Sequence, residues 1–247
     1  MNYEIYRFDK IESTNSYLLK LADEGFPEGS VVVADEQSGG RGRFGRKWES
    51  EPLSNLLFSV LLRPAFLERD EVFVLTFSAA VAVAEALEDV TRVKPELKWP
   101  NDVLLGSKKV CGILLESVFS SDELSSVVLG VGLNVNQKSF PAEISARATS
   151  LLAQTGKKFD RDEILSAVLG RFGSIYETVR ARDFYSVMKR WRDRSGMFGR
   201  KIRLRLADET YEGVCDEITD EGAIVIQTES GLKKFTAGEV SIIGETA

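Results

Sequence analysis

The segment VFVLTFSAAVAVA, residues 72–84, restricts the fold of this chain more than any other stretch. It is the longest apolar run, yet it stops at Glu85, short of the roughly 20 residues needed to cross a bilayer. Val72, Leu75, Ala79, Ala82, Val83 and Ala86 recur at helical spacing, which predicts a core helix over residues 71–89. β-rich runs surround it. YEIYRF alternates as a strand does, SVVVAD at residues 30–35 reads as a buried strand, and NLLFSVLLR is another, ended by Pro64. LKW, DVLL, KKVCGILLES and SSVVLGVGLNVN are further short runs separated by turn chemistry. STNSYLLKLADEG predicts a helix capped at Ser13 or Thr14 and finished by Gly25. Asp160–Arg180 is amphipathic, with Asp160 and Glu163 forming a capping box at its start.

After a basic helix around Trp191 the pattern changes. From Lys201 onward KIRLRL, TYEGVCDEI, AIVIQT, LKKFT and EVSII are five short strands joined by Asp, Glu and Gly turns, the pattern of a small closed β-barrel. With 247 residues, one large domain and one small one are expected, divided near Ser195–Gly199.

Several function classes fall away on composition. The net charge of -6 argues against a nucleic-acid backbone as the main partner. The chain has no histidine, so a histidine-bearing zinc site and any His-based triad are excluded. Cys111 and Cys215 share no metal-ligand spacing, and two lone cysteines fit a reducing cytosol. MNYEIYRFDK lacks the apolar core of a signal peptide, so a cytoplasmic protein is expected.

Four stretches carry candidate chemistry. GRGRFGRKW, residues 40–48, packs three glycines, three arginines and a lysine into nine positions. Glycines let backbone N–H groups converge on an anion, and Arg41, Arg43, Arg46 and Lys47 add donors suited to phosphate or carboxylate. A disordered basic loop is the plain alternative. KWPNDVLLGSKKVCGI, residues 98–113, sets Asn101 and Asp102 at a turn and leads into Lys109; a capped turn with an exposed lysine competes with a phosphoryl-handling site. GVGLNVN, residues 130–136, places glycines inside a strand, which weakens it unless something approaches the backbone. There Asn134 has the paired donor and acceptor that suit adenine. In ESTNSYL, residues 12–18, helix capping by itself accounts for Ser13, Thr14 and Asn15.

In this order, with STN first and a barrel last, the four stretches resemble biotin protein ligase along essentially the whole chain. The resemblance implies an α+β fold: a mixed β-sheet with flanking helices as a biotin- and ATP-binding domain over residues 1–196, then an SH3-like barrel over 197–247. It implies a two-step reaction in which biotin and ATP give biotinyl-5′-AMP and pyrophosphate, and a lysine of a biotin carboxyl carrier protein, such as that of acetyl-CoA carboxylase, then takes the biotin. Ser13, Thr14, Asn15, Gln37, Arg41, Gly42, Arg43, Lys109 and Gly112 match biotin-binding positions. Arg43, Arg46, Trp48, Asn101, Lys109 and Asn134 match ATP or adenylate contacts. Lys109, Arg43 and Asp102 are the expected catalytic residues, with Mg²⁺ held mainly by the ATP phosphates and Asp102 the candidate protein ligand. The Gly40–Trp48 loop is expected to be mobile without ligand and to close over the adenylate, ligand slowing its amide exchange while that of the barrel beyond Lys201 stays unaffected.

Two departures from the family pattern matter. Cys111 stands where glycine or alanine is usual, two residues from Lys109, which on a regular strand puts both on one face. Only twelve residues precede Ser13, too few for the helix-turn-helix domain of the repressor members, so a stand-alone ligase, monomer or homodimer, is expected without nucleic-acid or membrane partners. The rivals are a lipoate or octanoyl transferase with Cys111 as acyl carrier, and a non-catalytic biotin sensor.

Overall fold

The computed structural model describes residues 1–120, 123–207 and 209–244. In chain order the larger part contains β1 (Glu4–Ile11), α1 (Thr14–Asp23), β2 (Ser30–Gln37), β3 (Leu56–Leu62), α2 (Phe73–Thr91), β4 (Glu96–Lys98), β5 (Asp102–Leu105), β6 (Lys108–Ser120) and β7 (Glu123–Leu133). The helices α3 (Ala142–Ser145), α4 (Leu151–Thr155), α5 (Arg161–Arg180) and α6 (Phe184–Arg192) follow. Seven strands form one mixed sheet in the order β1-β2-β3-β7-β6-β5-β4; β1 and β2 run parallel and every other neighbouring pair is antiparallel.

Side-chain alternation sorts this sheet into two faces. Val31, Val33, Phe58, Val60, Val127, Leu129 and Val131 point to the main core, where α2 and α5 pack together and α6 closes against α2. Ala80–Ala84 and Ala86 are all fully buried, because α2 is covered on all sides rather than along one stripe. The expected core helix is there, shifted two residues toward the C-terminus by a 3-10 turn at Arg69–Glu71. Val32, Leu61 and Val128 point the other way, onto Leu18, Leu21 and Ala22 of α1. A ten-residue helix is marginal alone, and burial of its leucines at roughly 1.5–3 kcal/mol each anchors it. The α1 helix starts on Ser13, whose side chain accepts the Ser16 N–H.

The body of α1 packs on β2, β3 and part of β7, and Asn15 at its start also reaches Leu114 and Glu116 of β6. The same face of the sheet over β7, β6 and β5 lies beyond the body of α1. That gap positions the site.

The smaller part is the expected five strands, β8 (Lys201–Leu206), β9 (Glu209–Ile218), β10 (Ile224–Thr228), β11 (Gly231–Phe235) and β12 (Glu239–Ile242). They form an antiparallel sheet in the order β11-β10-β9-β8-β12, with Ile202, Leu204, Cys215, Ile218, Ile224 and Ile226 inside. Trp99 Nε1 donates to Gly222 O at 2.9 Å, and Phe73 and Phe77 crowd Gly222, so the turn before β10 seats against the larger part. Among the described residues, no helix is long and apolar enough to cross a membrane.

One strand departs from expectation. Val103 faces Cys111 but Leu104 faces Lys109, so Val110 is the extra residue of a β-bulge. The bulge reverses the alternation: Val110 and Cys111 both enter the core, and Lys109 shares its face with Gly112 instead. Cys111 therefore does not lie on the Lys109 face. Burial pushes its thiol far above the ordinary range, and that of Cys215 up to about 12. Native protein at pH 8 should accordingly leave both thiols unlabelled by a maleimide, while the unfolded chain takes up two labels. Rapid labelling of Cys111 in the folded protein would contradict its placement.

Candidate active site

Strand pairing lines up one row of residues across the uncovered face: Lys98 opposite Asp102, Asp102 opposite Gly112, Gly112 opposite Gly132. Partners in adjacent strands present side chains to the same side. The row thus brings a cation, a carboxylate and two glycines side by side, and the bulge adds Lys109 next to them. A cavity of about 300 Å³ opens on this face. Its lining includes Ser13, Thr14, Asn15, Gln37, Arg41, Gly42, Arg43, Arg46, Trp48, Asn101, Asp102, Lys109, Gly112 and Asn134, the whole set expected from sequence.

The strand glycines make room for the protein's own side chains. A Cβ on Gly130 would fall 2.1 Å from Asn15 Oδ1, and one on Gly132 would fall 2.5 Å from the Trp48 ring. At Gly112 it would meet both Lys109 Nζ, at 2.8 Å, and Trp48. Trp48 therefore packs against Gly112 and Gly132 with Lys109 Nζ 5.4 Å from its ring centroid, and its Nε1 is buried without a partner.

Lys109 Nζ sits 2.6 Å from Asp102 Oδ1, and Lys98 Nζ lies 3.5 Å from Oδ2. Burial by itself would raise the Asp102 carboxyl; the two ammonium groups outweigh it and hold the group below its ordinary range. Asp102 thus stays an anion that aims Lys109. A carboxylate clasped by two lysines is a poor cradle for a divalent cation, and no cluster of three metal-ligating side chains exists among the described residues.

The glycine–arginine loop is a small hairpin. Gly42 N–H donates to Arg46 O at 2.7 Å, Trp48 N–H to Gly40 O at 2.9 Å, and Arg41 bridges to Lys47. Its tip places Phe44 and Gly45 at positive φ, 57° and 71°; glycine suits that geometry, whereas Phe44 adopts it exposed. Its cations are already engaged. Arg41 pairs with Glu116 at 3.0 Å, Arg43 donates to Gly238 O at 3.1 Å, Arg46 pairs with Glu239 at 2.5 Å, and Lys47 with Glu49 at 2.9 Å. Burial pulls the Arg43 pKa down, partly offset by Asp102 and Glu239. The smaller part reaches this loop: Gly238 and Glu239, beside and within β12, hold Arg43 and Arg46.

The amide groups are largely spent on protein. Asn101 Nδ2 donates to Ile113 O at 2.6 Å, and Asn134 Nδ2 to Thr149 O at 3.0 Å, which leaves Asn134 Oδ1 buried without a partner. Thr14 N–H donates to Gln37 Oε1 at 2.7 Å. Sequence reasoning passed over Glu116, Ser59, Lys98 and Glu239. Glu116 follows Gly112 at even spacing, and Ser59 is the polar residue inside an apolar strand; both signals were present in the chain. Lys98 meets Asp102 across the tight β4–β5 turn, while Glu239 depends on contact between distant segments.

The family described as Biotin/lipoate A/B protein ligase matches residues 7–134, and the Biotin protein ligase C terminal domain matches residues 197–242. The bifunctional ligase/repressor BirA of Bacillus spizizenii is 36% identical over 236 residues, covering 95% of this chain and 72% of the relative. The biotin–acetyl-CoA-carboxylase ligase of Paracoccus denitrificans is 32% identical over 238 residues, covering 94% of this chain and 97% of its own. The structure of a biotin protein ligase from Aquifex aeolicus in complex with biotin and ATP superposes with a TM-score of 0.84 at 35% identity, covering 97% and 98% of the two chains.

The Asp102 geometry has a pH signature. A carboxyl whose folded pKa is depressed contributes stability that is complete above its unfolded value, near 3.8, and is lost as pH falls through the lower folded value. Denaturant melts of the parent and of Asp102→Asn should therefore differ by a constant amount above pH 5, and the gap should begin to close near 3.8 and narrow further as pH falls. A gap that persists undiminished to pH 2 would show that Asp102 does not act through its charge.

Proposed function

The chain belongs to the biotin/lipoate A/B protein ligase family, and we propose that it activates biotin with ATP to biotinyl-5′-AMP, releasing pyrophosphate, and then passes biotin to a lysine of a biotin carboxyl carrier protein. It is an ATP-dependent biotin ligase, as its relatives' names and the biotin- and ATP-bound neighbour support. The observation that carries the residue assignment is the Lys109–Asp102 pair, seated over the glycine floor between the α1 N-terminus and Asn134.

Ser13, Thr14 and Gln37 form the polar end of the cavity and suit the ureido ring of biotin; Asn15, Arg41 and Gly42 stand behind and beside them. The valeryl carboxylate then extends toward Lys109. In the first step this carboxylate attacks the α-phosphorus of ATP and pyrophosphate leaves. Lys109 stabilises the charge that builds on the phosphoryl oxygens, with Arg43 and Arg46 on the departing phosphates. Asp102 keeps Lys109 charged and aimed. Mg²⁺ enters as part of the nucleotide substrate, carried by its phosphates rather than by Asp102. Asn134 Oδ1 accepts the adenine amine, Trp48 offers its ring to the base, and Asn101 holds the turn under Lys109 through Ile113. In the second step the carrier lysine attacks the mixed anhydride and AMP leaves.

The acyl-carrier rival needs the Cys111 thiol in the cavity, and the bulge turns it into the core. We assign residues 1–196 to catalysis and 197–247 to the barrel, and place the reaction in the cytoplasm, in a monomer or homodimer with no nucleic-acid or membrane partner.

Incubation with biotin, MgATP and a carrier domain, read by mass spectrometry, tests the function directly: the adenylate and a biotinylated carrier lysine should both appear. Lys109→Ala should cut pyrophosphate release by at least about a hundredfold, the usual scale for one oxyanion-stabilising donor, while biotin binding stays measurable. Release within a few-fold of the parent would remove Lys109 from the chemistry. For the loop, biotin with a non-hydrolysable ATP analogue should slow amide exchange across residues 38–48, and also around 236–240 because of the Arg43 and Arg46 contacts. Protection of the loop with no change at 236–240 would show that these contacts are not kept in the bound state.

A further inference from the structure

Trp48 and Asn134, the two residues assigned to adenine, sit on segments that are joined by a buried amide outside the cavity. Gln137 is 3% exposed and is not part of the cavity lining. Its main chain is pinned, because Ser150 Oγ, at the start of α4, donates to Gln137 O at 2.6 Å. Its side chain joins three segments. Gln137 Oε1 accepts from Asn55 Nδ2 at 2.5 Å and from the Glu51 N–H at 3.2 Å, and Gln137 Nε2 donates to Ser139 O at 2.8 Å. Backbone groups set the direction of these bonds. The Val135 N–H needs an acceptor and takes Asn55 Oδ1 at 3.1 Å, which turns Asn55 Nδ2 toward Gln137. The Glu51 N–H likewise needs an acceptor and Ser139 O a donor, so the Gln137 amide fits in one orientation.

The two ends of the Gly40–Trp48 loop are held differently. Its entrance hangs from the end of β1, where Ser38 N–H donates to Ile11 O at 3.0 Å and Gly39 N–H to Glu12 O at 2.8 Å. Past its exit, residues 49–52 reach beyond the loop and their own turn by one hydrogen bond among the described residues, from Glu51 N–H to Gln137 Oε1. On the far side of the same amide, Ser139 leads directly into Phe140, which lines the cavity.

We propose that Gln137 is a positioning residue for the nucleotide: it holds the chain that follows Trp48 and the chain that leads to Phe140 at a fixed spacing, and so sets the width of the gap that the base enters. The inference rests on the assignment of Trp48 and Asn134 to adenine. The biotin end, beside Ser13, Thr14 and Gln37, is independent of this amide because the loop entrance has its own anchors. An apolar side chain at 137 leaves Asn55 Nδ2 and Ser139 O without their partner, and the two segments must part to let water reach them.

The test uses Gln137→Met, which keeps an unbranched side chain and removes the three contacts, and Gln137→Asn, whose amide is one methylene too short to serve both sides. Steady-state KM for biotin and for ATP are measured, together with amide exchange of the free protein. Each variant should raise the ATP KM about tenfold, the scale of one hydrogen bond, and leave the biotin KM within about twofold. Exchange should quicken at residues 49–53 and 138–141 and stay unchanged at 30–37. An ATP KM within twofold of the parent in a folded variant, a biotin KM that rises equally, or faster exchange spread over the whole sheet would overturn the positioning role. If Gln137→Met fails to fold, Gln137→Asn is read by the same criteria; failure of both to fold would make Gln137 a residue of stability alone and overturn the proposal. A parent that releases no biotin-dependent pyrophosphate overturns the proposed function and the nucleotide role with it, whereas a working parent whose variants keep its ATP KM overturns the positioning role alone.

Discussion

The single inserted residue at Val110 governs the chemistry of this protein. A regular strand would put Lys109 on the side of Cys111 and drive its ammonium into the core beneath α2, where a charge without a partner is prohibitively costly. The bulge lets the chain bury Val110 and Cys111 together and turn Lys109 out beside Asp102. The rest follows from that reversal. Asp102 needs Lys109 and Lys98 to remain charged while half-buried, and Trp48 needs the face of Gly112 and Gly132 kept free of side chains.

The sheet carries the site where helix cover runs out. α1 is short, and its anchors Leu18, Leu21 and Ala22 reach only as far as Val32, Leu61 and Val128. Beyond them the floor is glycine, which a strand tolerates at a cost of up to about 1 kcal/mol each. Strand rigidity compensates, because the groups that must meet a ligand stand on paired backbone. The Gly40–Trp48 loop stands off the sheet, and Gly238 and Glu239 hold it.

Much of this was readable from the chain. Helical spacing in VFVLTFSAAVAVA, alternation in YEIYRF and the five short runs after Lys201 located their elements to within a few residues, because each signal is local. The ordered motifs brought every expected residue to one cavity. Cys111 was placed on the wrong face because a bulge depends on how two strands register, which a count by two along one of them does not contain. The short helices α3 and α4 went unread for a related reason: they are held by long-range bonds such as Leu151 N–H to Asn134 O rather than by periodicity. Glu116 and Ser59 were visible only as polar interruptions, and their link needs three strands and a helix brought together.

The pairing of the loop cations bears on which anions the protein ignores. In the free state Arg41, Arg43 and Arg46 already have acceptors in Glu116, Gly238 and Glu239, so an incoming anion must exchange one set of partners for another. Such an exchange is close to balanced for a single contact. Inorganic phosphate or sulfate reaches one guanidinium at a time and gains little by displacing its internal partner. A nucleoside triphosphate tethered by its base presents several phosphates at once, at high effective concentration, and turns small gains into a large one. The internal acceptors on Arg41, Arg43 and Arg46 thus set a threshold that favours a ligand meeting several of these cations at once over one meeting a single cation.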